Sequence, residues 1–174
     1  MNSAISVTAR TIRLIVFDVD GTLTDGSIIL GEKEEWKAFN IQDGLGIRLL
    51  IKAGIEVAFI TGRRSGAVRR RAKELGVQHV IQSARDKGVA LRKLGEVLKI
   101  TREQIAAMGD DLPDLALFRE TGLKLAVADA ASELRAAAHW ISKTAGGCGA
   151  AREAAEMILK TQGKWSKLVA EFTK

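Results

Sequence analysis

Residues 14–17, Leu-Ile-Val-Phe, are apolar without a break, and the run ends directly in Asp18-Val19-Asp20-Gly21. An unbroken apolar run reads as a strand covered on both faces, the mark of a parallel sheet rather than a half-solvated antiparallel one. A second such run, "IEVAFITG", ends in Thr61-Gly62. Shorter strands are expected at "VQHVIQ", "IAAMGDD", "LKLAVAD" and "HWIS". Between them lie helical patterns. "IRLLIKAG" stops at Gly54, and "SGAVRRRAKELG" carries Gly76 past its end. "DKGVALRKLGEVLK", "LPDLALFRETG", "AASELRAAA" and "GAAREAAEMILKTQ" follow, with Pro113 where a first helical turn tolerates it. Strand–helix alternation of this kind predicts an α/β fold, a doubly wound parallel sheet with helices on both faces.

One segment breaks the alternation. "GSIILGEKEEWKAFNIQDG" holds two β-like runs, Ser27 to Leu30 and Trp36 to Phe39, around a polar turn. It reads as a β-hairpin, at about 27–39, inserted after the first strand. With no repeats and no linker, residues 1–174 are expected to form a single domain, ending in a tail at about 163–174.

Composition narrows the function classes. No apolar run approaches membrane-spanning length, and the N-terminus lacks the pattern of a signal peptide, so a cytoplasmic location is expected. The single cysteine, Cys148, excludes an intramolecular disulfide and belongs to no metal-ligand cluster. The net charge of +6 suits nucleic acid or an anionic small molecule. The densest basic run, Gly62 to Lys73, contains no aromatic residue for base stacking, which argues against nucleic acid.

In doubly wound sheets, ligands bind beyond the carboxyl ends of the strands. The expected strands bring Asp18 and Asp20, Thr61 and Gly62, then Asp110 and Asp111 to that edge. Lys87 opens the helix after the third strand, and Asp114 lies one turn past the fourth. An EF-hand reading of Asp18-x-Asp20-Gly21 fails, because the positions that need glycine and glutamate hold Leu23 and Ile29. Clustered carboxylates repel unless a cation neutralises them, and all-oxygen ligands favour Mg²⁺. Lys87, the Thr61 hydroxyl and the Gly62 N–H are then donors for a phosphate, with one aspartate as nucleophile and the other handling protons.

"DVDGTLTDG", "ITGR", Lys87 and "GDDLPD" resemble the four motifs of the haloacid dehalogenase superfamily of phosphatases. The hairpin with "KAFNIQDG", then "VADA" and "GGCGAARE", are similar to the 3-deoxy-D-manno-octulosonate 8-phosphate phosphatase family over nearly the whole chain. That resemblance implies a Rossmann-like fold of haloacid dehalogenase type without a cap domain. It implies Asp18 as nucleophile, Asp20 as general acid and base, and Thr61, Gly62 and Lys87 around the phosphoryl group. Mg²⁺ would sit on the Asp18 carboxylate, the Asp20 backbone carbonyl and the Asp110 carboxylate, with Asp111 and Asp114 behind them. Sugar-acid contacts are implied at Asn40, Ile41, Gln42, Asp43 and Gly44, and at Arg48, Arg63 and Arg71, since a carboxylate suits the planar arginine fork. The hairpin turn departs from the pattern in being short and acidic, at Glu32, Glu34 and Glu35.

The activity implied is release of phosphate from a small sugar acid phosphate, 3-deoxy-D-manno-octulosonate 8-phosphate, in lipopolysaccharide precursor synthesis. A phosphatase for another sugar acid, such as a nonulosonate 9-phosphate, is the nearest rival. A non-catalytic basic binding protein is a distant one. The resemblance further implies a homotetramer with active sites shared between chains, the tail Gly163 to Lys174 reaching a neighbour. The apolar Ile28, Ile29, Leu30, Trp36 and Phe39 of the hairpin support association, being more than a two-stranded excursion buries alone.

Overall fold

The computed structural model describes residues 3–32 and 35–173; Glu34 of the expected acidic turn and Lys174 of the tail lie outside the described residues. The first half of the chain forms α1 (Ser3–Arg10), β1 (Leu14–Phe17), β2 (Ile29–Leu30), β3 (Glu35–Trp36), α2 (Ile41–Lys52), β4 (Glu56–Ile60), α3 (Gly66–Leu75) and β5 (His79–Ile81). The second half forms α4 (Lys87–Leu98), β6 (Ile105–Gly109), α5 (Leu115–Arg119), β7 (Leu123–Ala126), α6 (Ser132–Ala137), β8 (Trp140–Ile141), α7 (Ala150–Thr161) and α8 (Trp165–Ala170). A 3₁₀ turn at Leu112–Asp114 leads into α5, with Pro113 in its first turn.

Six strands make one parallel sheet in the order β5-β4-β1-β6-β7-β8. The doubly wound expectation holds. β1 is central, pairing Phe17 with Phe59 on one side and with Met108 on the other. All four of its residues are fully buried, which is why its sequence shows no alternation. Helices α1, α2, α3 and α7 pack together, as do α4, α5 and α6, giving a layer on each face. The sheet order reverses between β1 and β6, and the crevice at that switch point is where such folds place ligands. Among the described residues no cap is present; those between β1 and α2 hold only the hairpin.

Three elements differ from expectation. The hairpin strands are only two residues each, pairing Ile29 with Trp36 and Leu30 with Glu35, and Lys37 to Phe39 lie beyond the ladder. An N-terminal helix, α1, for which the sequence reading made no assignment, covers the sheet beside α7. The tail folds back on its own chain. In α8, Leu168 is buried, Arg152 and Lys160 lie over the Trp165 ring, Lys164 donates to the Ala53 carbonyl, and Lys52 pairs with Glu171. In this conformation it does not extend toward a neighbour.

Candidate active site

β1 and β6 end side by side and deliver Asp18 and Asp110 to the same point. The Asp18 amide still bonds to the Met108 carbonyl at 3.0 Å, so the nucleophile candidate is fixed by the last rung of the sheet. Its carboxylate is only 3% exposed. The Lys87 ammonium, at the start of α4, donates to Asp18 Oδ1 at 2.6 Å and to Asp114 Oδ1 at 2.6 Å. Asp114 Oδ2 accepts from the amides of Asp110 and Asp111, at 3.0 and 3.3 Å, and so holds the turn after β6 closed. Thr22, fully buried, donates its hydroxyl to Asp110 Oδ1 at 3.0 Å. Gly21 has φ +93°, and a Cβ there would run into the Asp110 carboxylate, so only glycine lets the two segments meet.

Asp18, Asp110 and Asp114 bring oxygens within 4.8 Å of one another, and the described residues offer them a single ammonium. Burial, then the charge of Asp114, pushes the Asp18 carboxyl well above its usual range, against the pull of Lys87. The same two causes, in the same order, raise Asp110 to about 6. Burial works against the charged form of Lys87, yet the two carboxylates outweigh it and its pKa is raised. Both oxygens of Asp114 are engaged by protein donors. Asp18 and Asp110 each keep an oxygen that no protein N–H or O–H group reaches among the described residues. All-oxygen donors carrying an excess of two negative charges fit a hard divalent cation.

Asp20 stands above this floor. Its Oδ2 accepts the Thr61 hydroxyl at 3.3 Å, and its Oδ1 is ion-paired with Lys37. Thr61 and Gly62 follow β4 and face the same cavity of about 570 Å³ as Asp18, Asp20, Lys87 and Asp110. Arg63 lines it too, with its guanidinium paired to Glu35 of the hairpin. Burial lowers the Lys37 pKa, but contact with Asp20 and Glu35 more than restores it, and the net shift is upward.

The remaining expected contacts are elsewhere. Asn40 caps α2, accepting from the amides of Gln42 and Asp43 at 2.7 and 3.3 Å. Ile41 and Gln42 are exposed on the first turn, and Arg48 is exposed further along α2. Arg71 is turned to Glu74 at 3.0 Å and to the Asn40 carbonyl at 3.2 Å, against buried Gly44. Asp43 is 2% exposed and accepts from the amides of Gly149 and Arg152. None of these seven residues lines the cavity within this chain. Three cations beside the site carry no expectation from the sequence. Arg85 and Arg119 line the cavity wall, and Lys37 meets Asp20.

Residues 79–152 match the family of haloacid dehalogenase-like hydrolases. The 3-deoxy-D-manno-octulosonate 8-phosphate phosphatase of Yersinia pestis is 46% identical over 157 residues, 90% of this chain and 84% of that protein. The crystal structure of the Moraxella catarrhalis 3-deoxy-D-manno-octulosonate 8-phosphate phosphatase, in complex with magnesium, phosphate and KDO, superposes with TM-score 0.96 and 44% identity over 99% of both chains. A cobalt-bound phosphatase of the same description from Haemophilus influenzae superposes with TM-score 0.89 and 40% identity, over 91% of this chain and 94% of that one.

Proposed function

The chain belongs to the 3-deoxy-D-manno-octulosonate 8-phosphate phosphatase family of haloacid dehalogenase-like hydrolases, and from that premise we propose that it hydrolyses 3-deoxy-D-manno-octulosonate 8-phosphate in the presence of Mg²⁺. The observation that carries this reading is the Lys87 bridge between Asp18 and Asp114, with Asp110 alongside. It leaves one buried carboxylate oriented at the sheet edge with a free oxygen, as a nucleophile requires. The Asp18 and Asp110 carboxylates and the Asp20 backbone carbonyl would hold the metal, with Asp111 and Asp114 supporting them. When bound, Mg²⁺ supplies charge neutralisation and Lewis-acid polarisation of a phosphoryl oxygen.

Asp18 attacks phosphorus in line while the bond from phosphorus to the sugar oxygen breaks, leaving an aspartyl phosphate. Asp20 gives its proton to the departing sugar oxygen. The Asp20 carboxylate then takes a proton from the water that attacks the phosphorus, and Asp18 is regenerated as phosphate leaves. The Thr61 hydroxyl and the Gly62 N–H face the cavity as donors to the phosphoryl oxygens, and Lys87 offsets charge on Asp18. Arg63 is the expected arginine that reaches the cavity, where it would receive the substrate carboxylate after exchange with Glu35. Asn40, Ile41, Gln42, Asp43, Gly44, Arg48 and Arg71 would contribute only to a site completed by a neighbouring chain.

The hairpin supports such an assembly. Leu30 is 81% exposed and Trp36 60%, with Ile28 and Ile29 beside them. This apolar face suits a homotetramer with sites shared between chains. No described helix is long and apolar enough to cross a membrane, and a small anionic substrate suits the cytoplasm. Phosphate release from a panel of sugar phosphates, with and without Mg²⁺, tests the activity. A preference for a nonulosonate 9-phosphate would reassign the substrate, and metal-independent turnover would overturn the site.

A further inference from the structure

The Lys37 side chain is 1% exposed, although it arises from a solvent-facing hairpin whose neighbouring residue Trp36 is open to water. Burying an ammonium is costly unless it is paired. Its partners are Asp20 Oδ1 and, at 2.6 Å, Glu35 Oε1; Glu35 is held in turn by Arg63. Asp20, Lys37, Glu35 and Arg63 thus form a chain of alternating charge that ends on the loop after β4. We propose that Lys37 is a positioning residue for Asp20, holding its carboxylate so that Oδ2 faces the phosphate-binding loop. This rests on the reading of Asp20 as the general acid.

The argument is one of donors and acceptors. An ammonium only donates, so the oxygen it meets must remain an acceptor. Asp20 Oδ1 faces Lys37 and cannot also hold a proton toward it. Oδ2 is the oxygen left beside the Thr61 hydroxyl and so beside the phosphate-binding loop, where it can serve a leaving group. When the Thr61 hydroxyl turns to a phosphoryl oxygen, Lys37 is the remaining anchor of the carboxylate. The hairpin is therefore part of the proton-transfer apparatus as well as a surface for association.

In the step concerned, Asp18 oxygen bonds to phosphorus, the bond from phosphorus to the leaving oxygen breaks with its electron pair on that oxygen, and the Asp20 Oδ2 proton moves to it. A sugar alkoxide is a poor leaving group and needs this proton; p-nitrophenolate leaves without it. The kcat/KM for the two esters reports on the same step, with and without demand for the acid.

The experiment compares Lys37→Met and Asp20→Asn on 3-deoxy-D-manno-octulosonate 8-phosphate and on p-nitrophenyl phosphate, with Mg²⁺. Asp20→Asn is expected to lose at least tenfold more kcat/KM on the sugar ester than on the aryl ester, and Lys37→Met to show the same asymmetry in lesser degree. Equal losses on both esters in Lys37→Met, with the asymmetry kept in Asp20→Asn, would overturn the role of Lys37 alone. Equal losses in Asp20→Asn would overturn the general-acid reading and the inference with it. Should Lys37→Met fail to fold, Lys37→Arg keeps the charge but shifts the donors. It is expected to show a smaller loss, still confined to the sugar ester, and an equal loss on both esters again overturns the proposal.

Discussion

The Asp43 carboxylate accepts the backbone N–H groups of Gly149 and Arg152, at 3.2 and 2.8 Å, and so closes the N-terminus of α7 from the first turn of α2. Helix N-termini carry unsatisfied donors and a partial positive charge, and an aspartate answers both. Burial raises the Asp43 pKa, and the amides of α7 counter it. Asp43→Ala leaves these donors without a partner. A loss of about 2 kcal/mol is expected, lowering the melting temperature by roughly 4–8 °C. The KM of the folded variant is expected to stay within about threefold of wild type by the same packing argument. A KM rise of tenfold or more at unchanged melting temperature would return Asp43 to the substrate.

Asp18→Asn is expected to reduce turnover to below roughly a hundredth, because an amide of the same shape cannot form the acyl phosphate. The same substitution removes one of three crowded carboxylates. The metal-free variant is therefore expected to melt above metal-free wild type, by several degrees. Calorimetry without metal reads this directly, and a lower melting temperature would mean that the Asp18–Lys87 pair outweighs the crowding.

Metal and pH act on the same carboxylates. Folding raises Asp110 from its usual 3.8 to about 6, so the folded chain holds that proton more tightly than the unfolded one. The stability is then fully present below about pH 4 and is lost as pH rises through about 6. One unit is worth about 1.4 kcal/mol, so metal-free protein loses on the order of 2 kcal/mol across this window from Asp110 alone. Mg²⁺ is accordingly expected to raise the melting temperature more at pH 7.5 than at pH 5. Equal shifts at the two pH values would place the cation away from these carboxylates.

Charges placed on the exposed hairpin face test the assembly. Leu30→Asp with Trp36→Glu is expected to convert the proposed tetramer into smaller species in light scattering at micromolar concentration. A wild-type chain that is monomeric and fully active under those conditions would refute the shared-site reading.

The floor of the site was legible because its chemistry sits at strand ends. A buried strand such as Leu14–Phe17 has no local use for the carboxylate that follows it, and the strand pattern itself says which edge Asp18, Thr61 and Asp110 share. Asp43, Arg71 and Asn40 were not legible in the same way. Each can be claimed by two different partners, and only the packing of α2 on α7 and α3 shows that none of them lines the cavity within one chain. Lys37 was obscured because two-residue strands give too short an alternation to mark an inward face. The tail was read through a resemblance, whereas the cations of α7 flanking Trp165 are a long-range feature of this chain's own packing.

The hydrogen bond from Thr22 to Asp110 joins residues 88 positions apart, and the β1–β6 pairing beneath it spans a similar stretch of chain. Pairings of such length form late, after the loops they close have lost their freedom. The carboxylate floor therefore comes into being only as folding finishes. A cation that binds it acts on the finished molecule and leaves the climb to the transition state unchanged. Mg²⁺ is accordingly expected to slow unfolding while hardly altering the rate of folding, which makes resistance to proteolysis and heat a matter of how long the last pairing stays closed.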